Sequence, residues 1–238
     1  MPRLKGYIYL AFVLSCSFSI ARVSAQDSYY IEEPHMSFSG GLIFGTNFAQ
    51  VDGDTYWGYH KVGLNTGATV YIHFSKRTGI SMDLLYSGKG SRAASTVTSQ
   101  NLGLVIEQYH IDLNYIEIPI TFHLRQSAVI MDERRVIDFE LGASYARLIN
   151  SSEWAQTDYP VVIDPNVNYF NTDDINGIIG ASTKLYKNLN VNIRYQYSLK
   201  TIRPVDRVPL GFSYGNGQYN NVCVLRLVYY FNNNSQQY

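Results

Sequence analysis

The chain reads as all-β: eight antiparallel strands wound up and down into a transmembrane β-barrel. Three observations predict this. Eight segments of 11 to 17 residues alternate apolar and polar side chains with period two. The connections between them alternate between short and long. Charged residues make up only 16% of the 238-residue chain while tyrosine alone numbers 21, against about 25% charge in a typical soluble domain. Few charges and many tyrosines suit a surface that is apolar in its middle and wet at its edges.

The clearest segment is 189–200. Leu189, Val191, Ile193, Tyr195, Tyr197 and Leu199 point one way, and Asn190, Asn192, Arg194, Gln196, Ser198 and Lys200 point the other. Such alternation demands a strand with one apolar and one polar face. The other segments are 36–48 (Phe38, Leu42, Phe44, Phe48), 59–74 (Val62, Leu64, Val70, Ile72) and 78–88 (Ile80, Met82, Leu84). They continue with 109–125 (Ile116, Ile118, Ile120, Phe122), 136–149 (Phe139, Leu141, Tyr145), 174–187 (Ile175, Ile179, Leu185) and 220–231 (Cys223, Leu225, Leu227, Tyr229). Each reaches the roughly 9–11 residues that a tilted membrane strand needs.

Residues 75–77, 126–135 and 188 form the short or moderate connections. Residues 49–58, 89–108, 150–173 and 201–219 form the long, polar ones. Short turns on one side and long loops on the other are the outer-membrane pattern, and an even strand count puts both ends of the barrel on the periplasmic side. The barrel is expected over 36–231, preceded by a short periplasmic segment 26–35 and followed by a polar tail 232–238.

The polar faces decide which side meets lipid. They hold mostly Gly, Asn, Ser, Thr and Tyr with one or two charges per strand, a poor solvent coat and a good packed lumen. The charges sort by strand: Asp83, Glu117 and Glu140 on the third to fifth, Lys184, Arg194 and Arg226 on the sixth to eighth. Rolled into a barrel, acids and bases oppose each other across a lumen just wide enough for side chains. Buried charges have to be paired. These six residues are therefore expected to form a hydrogen-bonded plug, with no open pore.

The N-terminus reads as a signal peptide over 1–25: Arg3 and Lys5 precede an apolar run from Tyr7 to Cys16, and Val23-Ser24-Ala25 offers a cleavage site before Gln26. Removing 1–25 takes away three bases and no acid, so a neutral chain becomes one of net charge −3. That balance is no nucleic-acid footprint. The mature chain keeps a single cysteine, Cys223, and so cannot close an internal disulfide.

Motifs for chemistry are thin. His35-Met36-Ser37 has the spacing of a base and a nucleophile but sits at the start of the first strand. His110 and Asp112 share one face of their strand and could act as a base and its orienter, with no serine matched to them. Asp52-Gly53-Asp54 lacks the closing Glu of a calcium loop and reads as a turn. The five histidines show no metal-ligand spacing. No catalytic residue, cofactor or metal is expected. Trp57 and Trp154 read as interface anchors. Leu227, Tyr229 and Phe231 end the last strand with apolar residues at alternate positions, the form of a barrel-assembly signal.

Leu113-Asn114-Tyr115-Ile116-Glu117-Ile118-Pro119, Asp83-Leu84-Leu85-Tyr86-Ser87 and Phe139-Glu140-Leu141-Gly142 resemble successive strands of the PorT-like outer-membrane β-barrel family. Ala25-Gln26 is similar to the cleavage site common there. The resemblance spans about 36–231 and implies a cell outer membrane location. The family's namesake serves type IX secretion. The packed lumen, the long loops and the lack of a catalytic constellation point to a non-enzymatic structural or assembly component, and the resemblance implies that it is accessory to protein secretion; its expected partners are outer-membrane lipid, the barrel-assembly machinery and secretion-system proteins. A surface binding protein using the long loops, a lipid A-modifying enzyme and a soluble periplasmic barrel are the other readings.

Overall fold

The structure is a computed structural model that describes residues 37–54, 58–93, 97–98, 105–130, 133–157, 169–208 and 217–231. The expected signal peptide with Ala25 and Gln26, the segment 26–35, His35, Met36, Trp57 and the tail 232–238 lie outside the described residues.

Nine strands follow in order: β1 Ser37–Asp52, β2 Lys61–His73, β3 Thr78–Arg92, β4 Val97–Thr98, β5 Val105–Ile130, β6 Glu133–Thr157, β7 Asp173–Tyr186, β8 Leu189–Ser198 and β9 Tyr219–Tyr230. Every neighbouring pair is antiparallel. The sheet runs β3-β2-β1-β9-β8-β7-β6-β5, and a β3–β5 ladder closes it into a ring of eight. The two-residue β4 lies outside the ring, paired to the start of β5 at Val97↔Ile106. Closure leaves no open edge in the ring, which a sheet in lipid requires because hydrocarbon cannot hydrogen-bond a free N–H or C=O.

The faces are oriented as the composition of the polar positions predicts. Phe44 is 67% exposed and Leu141 64%, while Asn47, Thr121 and Asn176 are fully buried. Ile80, Ile118, Ile193 and Leu225 continue the outer apolar band around the ring. Among the described residues no helix is long and apolar enough to cross a membrane; the crossing is made by strands.

Ring closure around two arginines depends on glycines facing them. A Cβ on Gly45 would lie 2.4 Å from the Cβ of Arg226, its partner across the β1–β9 ladder. One on Gly180 would lie 2.9 Å from Arg194 Cγ. The missing side chains are the space into which the guanidinium stems fold.

Two elements differ from the sequence reading. Residues 126–135 are not a connection: β5 and β6 stay paired through Gln126↔Ile137 to Ile130↔Glu133. The stretch holds no Gly or Pro, and Val129, Ile130 and Val136 favour strand. Strands also run further into the long-loop side, β3 to Arg92, β6 to Thr157, and β5 from Val105. At about 3.3 Å per residue, the 26 residues of β5 reach far past an apolar band of roughly 25 Å.

Candidate functional site

The lumen is filled by three tiers of charged and polar side chains. The tier nearest the short turns is built on Arg194 of β8 and Arg226 of β9. Arg194 donates through Nη1 to Asp83 Oδ2 (3.0 Å) and through Nε to Glu140 Oε2 (2.5 Å). Arg226 donates to the same Asp83 oxygen (2.9 Å) and to Asn192 Oδ1 (2.7 Å), and Asn192 passes a hydrogen bond on to Glu140 Oε1 (2.6 Å). Two arginines meet two carboxylates, so the tier is neutral. Arg194 is barely exposed at 2%. The geometry is what a buried charge needs: paired, with its remaining donors hydrogen-bonded.

The middle tier centres on Lys89, which is fully buried. Its Nζ lies 3.3 Å from Glu117 Oε2, 3.6 Å from Asp174 Oδ2 and 3.3 Å from Asn176 Oδ1. Ser144 Oγ donates to Glu117 Oε1 (2.5 Å), and Asn220 Nδ2 donates to Asp174 Oδ2 (3.0 Å). The ammonium also sits 5.3 Å from the Tyr115 ring centroid.

The third tier seals the long-loop mouth. Arg203, in the β8–β9 connection, reaches Glu153 with both terminal nitrogens, one bond being 3.0 Å. Tyr109 OH donates to the same carboxylate at 2.6 Å. The guanidinium lies 4.0 Å over the Phe170 ring. An isolated bridge, Arg203↔Gln218, ties this connection together. Around the pair is an apolar cluster of Val51, Tyr109, Ile111, Leu113, Phe170 and Ile202. Glu153 faces inward because of a register shift in β6: Asn114 pairs with Asn150 but Tyr115 with Leu148, so Ile149 is the extra residue of a bulge. Strict alternation would turn Glu153 outward, and the bulge re-aims it.

Of the residues expected in the lumen network, the structure brings together Asp83, Glu140, Arg194 and Arg226 in one tier and places Glu117 in the next. Lys184 is corrected. It has the inward parity of β7 but lies exposed at the short-turn rim, with no ion pair among the described residues. At the rim a lysine is hydrated and needs no partner. Lys89 is the buried base that sequence reasoning missed, because Gly88-Lys89-Gly90 resembles a turn; Gly90 does take φ 129°, yet β3 continues through it. Arg203 and Glu153 were missed because both fall in the connections expected at 201–219 and 150–173.

One constellation has the order of a hydrolase triad. Ser81 Oγ is 2.8 Å from His123 Nε2, and His123 Nδ1 is 3.2 Å from Asp138 Oδ2. Such triads are recognised by geometry, so space has to decide. Ser81 and His123 line a void of about 10 Å³, room for one water and none for an acyl substrate. Ser81 is also hydrogen-bonded to Thr121 at 2.7 Å. His110 and Asp112 each have another partner: Asp112 is bonded to Lys61, and His110 stands edge-on to Trp154, 5.7 Å between centroids. In the Asp52-Gly53-Asp54 turn, Gly53 takes φ 90°, and Asp52 accepts from Gln50 and Asn221. Among the described residues no group of three His, Cys, Asp or Glu is placed to hold a metal.

Residues 3–203 match the family described as outer membrane protein beta-barrel domain. The chain belongs to that family. Among solved structures it is similar to Ail, the attachment invasion locus protein of Yersinia pestis, crystallised with the heparin analogue sucrose octasulfate: 12% identity, TM-score 0.38, covering 82% of this chain and 100% of that one. Neisserial surface protein A gives 8% identity and TM-score 0.33, covering 82% and 97%. OprG of Pseudomonas aeruginosa gives 12% and 0.33, covering 82% and 94%. No curated protein matches the chain in sequence.

A barrel in a membrane meets the membrane–water boundary where polar groups interrupt its outward apolar face. Here Tyr59 OH donates to Asn221 Oδ1 (2.7 Å), and Tyr197 stacks on Tyr219, centroids 6.1 Å apart. Aromatic rings with a polar tip settle at that level. Leu227, Tyr229 and Phe231 all face outward. Phe231 N donates to Gly40 O at 2.9 Å, so the ladder reaches one residue past β9.

Proposed function

We propose that this outer-membrane barrel is a closed, non-enzymatic structural or assembly component whose working surfaces lie at its two ends. The observation that carries the reading is the Arg203–Glu153 pair, which with two further buried ion tiers fills the lumen among the described residues. Short turns then face the periplasm, with residues 1–25 serving export and Leu227, Tyr229 and Phe231 offered to the barrel-assembly machinery. Protein secretion of the type IX kind is the process proposed for it, on the strength of its PorT-like motifs. Pull-down from detergent-solubilised outer membrane tests this. Recovery of secretion-system proteins, lost when the periplasmic end of the β5–β6 hairpin is trimmed, is the expected result. Unchanged secretion and envelope integrity after gene deletion would remove it.

A second reading is favoured by one feature. Beyond the membrane band β5 and β6 rise as a paired blade, with Trp154 exposed beside His110. That blade and the long loops suit a surface binding protein. Loss of adhesion on removing 150–157 would support it.

A further inference from the structure

We propose that the short-turn mouth of the barrel binds a glycerophosphate group. Below the arginine tier the lumen opens into a cavity of about 260 Å³, lined by His73, Arg125, Asp138, Lys184, Asn190 and Tyr230 among others. At about 10–15 Å³ of such space per water this holds well over ten waters, ample room for the ten non-hydrogen atoms of glycerol phosphate.

The charges of the cavity favour an anion. Asp138 is the carboxylate there: its Oδ2 is faced by His123 Nδ1 (3.2 Å), Arg125 Nε (3.6 Å) and Tyr71 OH (3.4 Å), its Oδ1 has no hydrogen-bond partner, and Arg125 and Lys184 together outnumber it in charge. Lys184 adds a second cation with no ion pair among the described residues. His73 is 98% buried by its 2% exposure, contacts Ser39 Oγ through Nε2 (3.3 Å), and leaves Nδ1 without a hydrogen-bond partner. A buried nitrogen with nothing to bond is costly, and a phosphate oxygen in the cavity would supply its partner. Lys184 and Arg125 give the charge; Asn190, Asn188 and Ser182 give donors and acceptors for the glycerol hydroxyls.

The place of the cavity also suits this chemistry. Thr183 lines it and shares the lipid-facing side of β7 with Ile175 and Ile179. The cavity therefore reaches the rim where β6–β7 pairing stops, at Ile137↔Thr183. On the outer-membrane placement proposed above, that is the headgroup level of the inner leaflet. The group can come from a lipid or from a soluble glycerol phosphate.

Two arms separate the sources. The purified barrel in detergent micelles is titrated with sn-glycerol 3-phosphate while the His73 ring resonances are followed by NMR. The same resonances are followed in nanodiscs of phosphatidylcholine, whose headgroup phosphate carries choline and no free glycerol hydroxyls, with and without phosphatidylglycerol, whose headgroup is a glycerol phosphate with free hydroxyls. A saturable shift in micelles assigns the soluble source, and a shift only with phosphatidylglycerol assigns the lipid. In either arm Lys184→Gln, which removes a cation and breaks no ion pair, is expected to weaken binding about tenfold, the scale of one charge-assisted hydrogen bond. No shift in either arm, or equal binding by Lys184→Gln, overturns the proposal. Failure of the partner pull-down leaves this test untouched, so the two claims fall separately.

Discussion

Arg203 and Glu153 are a bidentate ion pair that exists only because the extra residue Ile149 turns Glu153 into the barrel. The pair joins a connection to a strand at the long-loop mouth, and Tyr109 completes it from β5. Removing one partner leaves a buried charge alone, which costs about 3–5 kcal/mol. Glu153→Gln is therefore expected to lower the thermal midpoint and expose residues 199–208 to protease. Protection equal to the parent protein would show that the connection is held by the apolar cluster instead.

Arg194 and Glu140 are coupled more tightly than their separate losses suggest. Arg194→Met takes from Glu140 its arginine and from Asp83 one of two, leaving Glu140 only its hydrogen bond from Asn192; Glu140→Gln leaves Asp83 as the one carboxylate on Arg194. A double-mutant cycle on denaturant unfolding from micelles is expected to give a coupling of about 2 kcal/mol, within the range for contacting residues. Additive losses would mean the tier is wetter than its burial implies.

Gly45→Val tests the packing behind Arg226. Its first side-chain atom would sit 2.4 Å from Arg226 Cβ and 2.5 Å from Leu225 O, and neither backbone nor ladder can withdraw. Folding yield, read as the heat-modifiable gel shift of the barrel, is expected to collapse. Gly40→Ala, whose nearest neighbour would be a Phe231 ring carbon at 3.6 Å, is the tolerated control.

Ser81 is placed beside His123 as a nucleophile would be, yet no substrate fits next to it. A fluorophosphonate probe is expected to leave the folded protein unlabelled. Labelling that Ser81→Ala abolishes would restore an enzymatic reading.

The ring was legible because period two survives in every strand, and because the polar positions are too poor in charge to coat a soluble protein. Asp83, Glu117, Glu140, Arg194 and Arg226 follow from parity alone. Parity does not give height: Lys184 shares the inward side of β7 but lies at a hydrated rim. It is also silent in the connections expected at 150–173 and 201–219, where Glu153 and Arg203 have no period to betray them; Glu153 proves to lie on β6 beyond a bulge. Lys89 sits among glycines that read as a turn, and pairing with β5 at Lys89↔Leu113 overrides them. The inward apolar run Tyr109, Ile111, Leu113 was hidden by the polar partners expected of a lumen.

Planar-bilayer recording of the purified mature barrel tests the closed lumen most directly. Three tiers of buried, ion-bridged side chains predict a silent membrane, with no steady current at moderate voltage. A stable ohmic conductance, enlarged in Arg203→Ala or Arg194→Ala, would mean that ions pass the tiers and that the barrel is a pore.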